Sequence, residues 1–159
     1  MRGWSCEAII RVDLASPPEV WERFLDALVA YWSESVPDQL SDPEWRAIHQ
    51  DRMRRRLETH PTWLWIYEQD GRTLALANFF VISGRAQIAE FYVLPSLRRH
   101  GLGRFLIEQM RLVLGGEGVR RIAINVPHSA VDRIDFWRAC GFRDLAVELE
   151  TSTRPSDAG

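Results

Sequence analysis

An apolar run closes at Val93-Leu94-Pro95, and the turn that follows, Arg98-x-x-Gly101-x-Gly103, opens at once into the helical stretch Leu102–Leu114. Strand, glycine turn and helix in direct succession constrain the fold most, because such a helix packs back on the sheet that holds the strand. The turn also has the chemistry of an anion site. Gly101 has no side chain, so its backbone can take a positive φ and approach a charged group closely. The first N–H groups of a helix lack internal partners, and the helix dipole adds roughly half a positive charge there. Arg98, Arg99 and Arg104 contribute further positive field. A pyrophosphate suits this turn; the plain alternative is an ordinary strand–turn–helix with surface arginines.

Two other phosphate-binding patterns are excluded. There is no Gly-x-x-x-x-Gly-Lys-Ser/Thr run, and all 20 basic residues are arginine, so a Walker loop is ruled out. No Gly-x-Gly-x-x-Gly follows the first strand, so a Rossmann site lacks support. Without lysine, no lysine base or Schiff-base nucleophile is available.

The remaining elements follow from periodicity. Cys6–Leu14 reads as a strand. Ser16-Pro17-Pro18-Glu19 starts a helix, with Ser as cap and Pro in the first turn; Val20, Phe24, Leu25, Leu28 and Val29 recur at helical spacing. Val36-Pro37-Asp38 ends it. Ser41-Asp42-Pro43-Glu44 opens a second helix to about His60, closed by Pro61. Thr62–Glu68 and Thr73–Ser83 are strands joined by a hairpin at Gln69-Asp70-Gly71. Ser83-Gly84-Arg85 turns into the strand Gln87–Leu94. After the helix that follows Gly101, with Phe105, Leu106, Met110 and Val113 on one side, Gly115-Gly116-Glu117-Gly118 is a stop. Val119–Val126 is a strand, Ser129–Cys140 a helix and Phe142–Glu150 a final strand. The order β-α-α-β-β-β-α-β-α-β predicts an α+β (mixed α/β) fold with a mixed, mostly antiparallel sheet flanked by helices. Residues 1–151 form one domain, and residues 152–159 a polar, disordered tail.

Composition narrows the function. The chain of 159 residues is 46% hydrophobic and 26% charged, enough for a single core. A formal net charge of −2 gives no global field for nucleic acid. Cys6 and Cys140 lack metal spacing and read as reduced core thiols of a cytoplasmic protein. Met-Arg-Gly-Trp-Ser-Cys has no apolar core for a signal peptide. The apolar run Leu74–Ile82, interrupted by Asn78, is far shorter than the roughly 20 residues that span a bilayer. His49 and His60 have no matching ligands, so no metal is expected.

Val93-x-Pro95-x-x-Arg98-x-x-Gly101-x-Gly103, preceded by Ala89-Glu90-Phe91-Tyr92, resembles the acetyl-CoA-binding motif of the GNAT acetyltransferases. Cys140-Gly141-Phe142, after Phe136-Trp137, resembles that family's landmark near the C-terminus. The resemblance implies a GNAT-like domain and an N-acetyltransferase that uses acetyl-CoA. It implies that backbone N–H groups of Arg98, Arg99, His100, Gly101, Leu102, Gly103 and Arg104 hold the pyrophosphate. Backbone around Tyr92, Val93 and Leu94 would pair with the pantetheine arm, in a slot between parting strands. Asn125, at a strand end, is a candidate to bond the arm's amides; the alternative is a turn residue.

Aminolysis of a thioester also needs a base and an acid. Glu90 is the one acid in Gln87–Leu94. Alternation puts Ile88, Glu90 and Tyr92 on one face and Ala89, Phe91 and Val93 on the other. A carboxylate beside an apolar cleft has a raised pKa suited to taking an ammonium proton; otherwise Glu90 is a salt-bridged structural residue. The family commonly has a tyrosine four residues before the landmark glycine, and here that position is Trp137, which cannot donate a phenolic proton. Ala130 and Arg133 also depart from the common residues. Tyr92, Ser129 and His128 remain candidate acids, and Trp137 is expected to pack against the pantetheine arm.

The family's acceptor region covers the first two helices and their connection. Here it contains Trp32, Glu34, Asp38, Asp42, Glu44 and Trp45, a set that suits a cationic primary amine of a small molecule or peptide, or is a solvated connection. Arg52, Arg54, Arg55 and Arg56 form a basic run whose nucleic-acid reading is the weaker one. The alternative function is a non-catalytic acyl-CoA sensor. A homodimer through the edge strand Phe142–Glu150 is open.

Overall fold

The computed structural model describes residues 3–154. Two hairpin turns set its sheet. Asp70 and Gly71 have φ of 54° and 72°, and Ser83 and Gly84 have φ of 51° and 74°. Two successive positive φ values give the tight turn whose twist matches that of paired strands. Gln69 therefore faces Arg72, and Ile82 faces Arg85. These turns join β2 (Thr62–Gln69), β3 (Arg72–Ile82) and β4 (Arg85–Val93). β1 (Ile9–Val12) pairs antiparallel with β2, and β5 (Ile122–Ile124) pairs parallel with β4. The order is β1-β2-β3-β4-β5, a mixed and mostly antiparallel sheet as expected.

The chain forms two compact units, residues 1–125 and 126–159. In the first, helices α1 (Pro18–Ser35) and α2 (Trp45–Thr59) cover one sheet face, and α3 (Leu102–Gly116) the other. Trp21, Phe24, Leu25 and Leu28 recur at helical spacing on α1 and pack on Leu64, Ile66 and Leu76. Each contributes about 1.5–3 kcal/mol by burial. Leu102 and Leu106 of α3 pack on Tyr67 and Ala75. In the second unit, α4 (Val131–Ala139) ends at Gly141, φ 93°, and Trp137 lies edge-on to Phe136 and Phe142 at 5.2 and 5.0 Å.

Several expectations need correction. Residues 142–150 are not a strand: Leu145, Val147 and Leu149 alternate, yet they are 67%, 84% and 88% exposed, and no ladder pairs them. Alternation is necessary for a strand, but backbone partners make one. The observed order thus ends at α4 among the described residues. β5 is shorter than predicted because it pairs only with Ala86–Ile88. Cys6–Ala8 is a 3-10 turn rather than strand. Ser16 does not cap α1; its Oγ accepts from the Asp13 N–H, and Pro17 takes the cap position. The predicted tail at 152–159 lies, from Pro155 on, outside the described residues.

Candidate active site

The turn after β4 is shaped for an anion by its main chain. Arg99 and Gly101 have φ of 66° and 86°, and Gly101 is the N-cap of α3 without any side-chain cap. The first helical hydrogen bond runs from the Phe105 N–H to Gly101 O at 2.9 Å. Ahead of it, the N–H groups of Arg99, His100, Gly101, Leu102 and Gly103 have no acceptor among the described residues. Successive unpaired N–H groups at a helix start form an anion cradle. Trp4 braces this turn: its indole N–H donates to His100 O at 3.0 Å, and its ring meets Tyr67 edge-on at 5.8 Å.

Arg98 braces the turn from the other side. Its guanidinium makes a two-bond fork to Glu34 of α1, 2.7 Å on each arm, while Nε donates to Val93 O at 2.9 Å. It also lies over the Tyr92 ring, 5.5 Å from the centroid. The Arg98 side chain therefore ties α1 to the end of β4. Tyr92 is buried beneath it, and burial raises the phenol's pKa.

β4 leaves β5 early. The parallel ladder spans Ala86–Ile88 opposite Ile122–Ile124 and goes no further. Past Ile88 no strand among the described residues pairs with that edge of β4, and an extended ligand can pair there at Tyr92 and Val93. A β-bulge sits at the same place: Asn78 faces Glu90 but Phe79 faces Ile88, so Ala89 is the extra residue. The bulge corrects the simple alternation. Glu90 and Tyr92 still share a face, whereas Ile88 joins Phe79 on the opposite one.

A cleft of about 330 Å3 opens there, lined by Glu90, Ile88, Asn78 and Asn125, with His49, Arg52 and Arg56 of α2 on its far wall. Asn78, 1% exposed, donates from Nδ2 to Glu90 Oε2 at 2.5 Å and accepts from Arg56 Nη2 at 2.6 Å. Burial raises the Glu90 pKa above the ordinary carboxylate value, and Arg56, Asn78, Arg52 and Trp32 oppose the rise. The Trp32 indole N–H acts on Glu90 without meeting hydrogen-bond geometry. Arg56 also stacks over Phe80 at 4.3 Å, and burial lowers its pKa.

His49 stacks on Trp45 at 4.2 Å and meets Trp32 edge-on at 5.1 Å. Its Nδ1 donates to Trp45 O at 3.0 Å, since a carbonyl can only accept. Burial lowers the imidazole pKa, favouring the neutral ring. Four buried polar atoms lack partners among the described residues: Trp32 Nε1, Trp45 Nε1, His49 Nε2 and Arg56 Nε. All four belong to the cleft wall or to the aromatic cluster around His49.

The structure thus brings Glu90 and Asn125 into one cleft and places Tyr92 outside its lining. Of the acidic acceptor region, Asp38, Asp42 and Glu44 are exposed, as in a solvated connection, and Glu34 is paired with Arg98. In the basic run, Arg54 covers the Trp21 ring, Arg55 pairs with Asp51, and Arg56 binds Asn78. Trp137, His128 and Ser129 lie in the second unit. The sequence reading passed over Asn78, Arg56 and His49; its usable signal was Asn78 as the one polar break in an apolar strand. No helix among the described residues is long and apolar enough to cross a membrane, and no group of acidic, His or Cys side chains there could hold a metal.

Over 116 residues the chain is 31% identical to a mycothiol acetyltransferase of Beutenbergia cavernae, covering 69% of this chain and 39% of that protein. The chain therefore spans about two fifths of that relative's length. An apo aminoglycoside 6'-N-acetyltransferase, AAC(6')-Ig of Acinetobacter haemolyticus, shares the fold with a TM-score of 0.69, 18% identity and coverage of 92% and 97% of the two chains. AAC(6')-Iy, in complex with the bisubstrate analogue CoA-S-monomethyl-acetylneamine, gives a TM-score of 0.70 at 15% identity with the same coverage. The model of the acetyltransferase (GNAT) family matches residues 21–142, well over half of the sequence, and the chain belongs to that family.

Proposed function

We propose that the protein transfers an acetyl group from acetyl-CoA to a primary amine, with Glu90 as the base. The observation that carries this reading is the placement of Glu90, a desolvated carboxylate at the bulge where β4 parts from β5. The site suits the donor. The N–H groups of Arg99–Gly103 hold the pyrophosphate, the open edge of β4 at Tyr92 and Val93 pairs with the pantetheine arm, and Asn125 bonds its amides. The names of the relatives and the CoA-linked analogue held by one of them support this donor and an amine acceptor.

Acetyl-CoA supplies the acyl thioester. Glu90 takes a proton from the bound ammonium, directly or through water, and frees its lone pair for attack. A C–N bond forms as the C–S bond breaks; the thiolate takes a proton from Tyr92 or water, and the second proton leaving the nitrogen passes to solvent and restores the donor. The family match continues past residue 125 into the second unit, which supports residues 1–151 as one functional domain. The exposed free thiol of Cys6 supports a cytoplasmic setting.

An amine panel with acetyl-CoA, read by CoA release, tests the reading. Turnover that falls about a hundredfold in Glu90→Gln, with acetyl-CoA affinity retained, is expected. Acetyl-CoA binding without release from any amine favours the non-catalytic sensor instead.

A further inference from the structure

The cleft that holds Glu90 is bordered by two arginines and no second acid. Arg52 and Arg56 stand one turn apart on α2 and both line it. Glu90 is the single acid of the lining, and it is bonded to Asn78 rather than to either guanidinium. Some other arginines are neutralised, as Arg23 is by Glu68, Arg46 by Glu22 and Asp26, Arg55 by Asp51 and Arg98 by Glu34, and others, such as Arg72 and Arg85, stand unpaired among the described residues at turns away from any cleft acid. Arg52 has no hydrogen bond or ion pair among the described residues, and Arg56 Nε is buried without an acceptor. The Arg52 charge is nonetheless felt at His49, Arg56 and Glu90. The apolar lining, Leu28, Met53 and Phe80, offers nothing to balance it.

We infer that the acceptor amine carries an anionic group, a carboxylate or a phosphate, which Arg52 and the open side of Arg56 bind while the amine nitrogen sits at Glu90. This rests on the acetyltransferase reading and names the substrate class for that site. A guanidinium suits such a group because its parallel N–H donors match two anionic oxygens. The same charges repel polycationic acceptors, which sets this cleft apart from one built for an aminoglycoside. The acidic groups that would attract a polycation are solvent-exposed or already paired, as Asp38, Asp42, Glu44 and Glu34 are.

Matched acceptors test the inference: tyrosine against tyramine, tryptophan against tryptamine, phosphoethanolamine against ethanolamine, with kanamycin as the polycation. CoA release is expected to show the acid-bearing member ahead by at least roughly tenfold in kcat/KM, the carboxylate pairs and the phosphate pair separating the two anion sources. Arg52→Gln should erase that lead through the acceptor KM, with the acetyl-CoA KM unchanged, and Arg52→Glu should reverse it. Equal or faster turnover of the bare amines or of kanamycin overturns the inference and leaves the acetyltransferase reading standing. So does an Arg52→Gln effect confined to the acetyl-CoA KM. Release from no amine overturns both in turnover terms. Independently, quenching of tryptophan fluorescence should show N-acetyltyrosine binding roughly tenfold tighter than N-acetyltyramine, a preference lost in Arg52→Gln; equal binding overturns the inference.

Discussion

Asn78 and Glu90 face each other across the β3–β4 pair, and the Asn78 amide gives its Nδ2 hydrogen to Glu90 while its oxygen accepts from Arg56. A neutral group thus links a cation and an acid that are not in direct contact. The carboxylate keeps an acceptor oxygen for a substrate proton, and Arg56 acts on it from a distance.

Asn78→Ala should move the acidic limb of the kcat/KM profile to higher pH. The Asn78 bond lowers the Glu90 pKa against the rise from burial, so its loss lets the pKa climb. Arg56 also loses its partner at this buried residue, and the fold should lose about 1–3 kcal/mol in chemical denaturation. A limb that stays in place would detach Glu90 from the rate.

Glu90 should also mark the stability profile. Its folded pKa is raised above 4.5, with burial the largest cause, so the folded chain keeps this proton to higher pH than the unfolded one. The contribution of Glu90 is therefore most favourable below about 4.5, and it is lost as pH rises toward the raised value. Glu90→Gln should be as stable as the parent or more so at neutral pH, while it turns over poorly. A lower neutral-pH melting temperature in that variant would assign Glu90 a structural role.

Gly101→Val should remove the thermal shift produced by acetyl-CoA. An added Cβ meets only Trp4 Nε1, at the ordinary distance of 3.7 Å, so space is not the obstacle. The obstacle is φ of 86°, which costs a branched residue about 1–2 kcal/mol and reshapes the cradle. The variant should fold. Retention of the full ligand-induced shift would count against the phosphate assignment.

Glu34→Gln weakens only the half-exposed fork and should cost about 0–1 kcal/mol of stability. Arg98→Ala also loses the bond to Val93 O and the cover over Tyr92, and should cost more. Neither should weaken acetyl-CoA binding much. Weaker binding in Arg98→Ala alone, measured by titration calorimetry, would show that the guanidinium itself grips phosphate.

Local signals carried most of the fold. Asp70-Gly71 and Ser83-Gly84 placed both hairpins, and Gly101 placed the start of α3, because turn chemistry is decided within a few residues. Pairing is decided at a distance. Leu145, Val147 and Leu149 alternate as a strand does, yet nothing local says whether a partner exists. The bulge at Ala89 was equally hidden, since an extra residue leaves composition unchanged. The pairing of Glu34 was hidden for a related reason: Glu34 and Arg98 are 64 residues apart, so only the folded chain reveals that one cancels the other. Asn78 was visible as a polar break but had no assigned partner until β4 lay beside β3.

The five unpaired N–H groups from Arg99 to Gly103 belong to the main chain, so replacing a side chain there removes none of them unless, as at Gly101, it disturbs a positive φ. Proline is the exception, because it alone brings no N–H. Proline at His100, Leu102 or Gly103, where φ is negative, would subtract one donor each, and alanine would subtract none. Alanine at Arg99, where φ is 66°, would instead report on shape. Divergence among chains with this turn should then leave the exposed side chain at position 100 free to drift, while the curvature, the apolar anchor at 102 and the absence of proline persist.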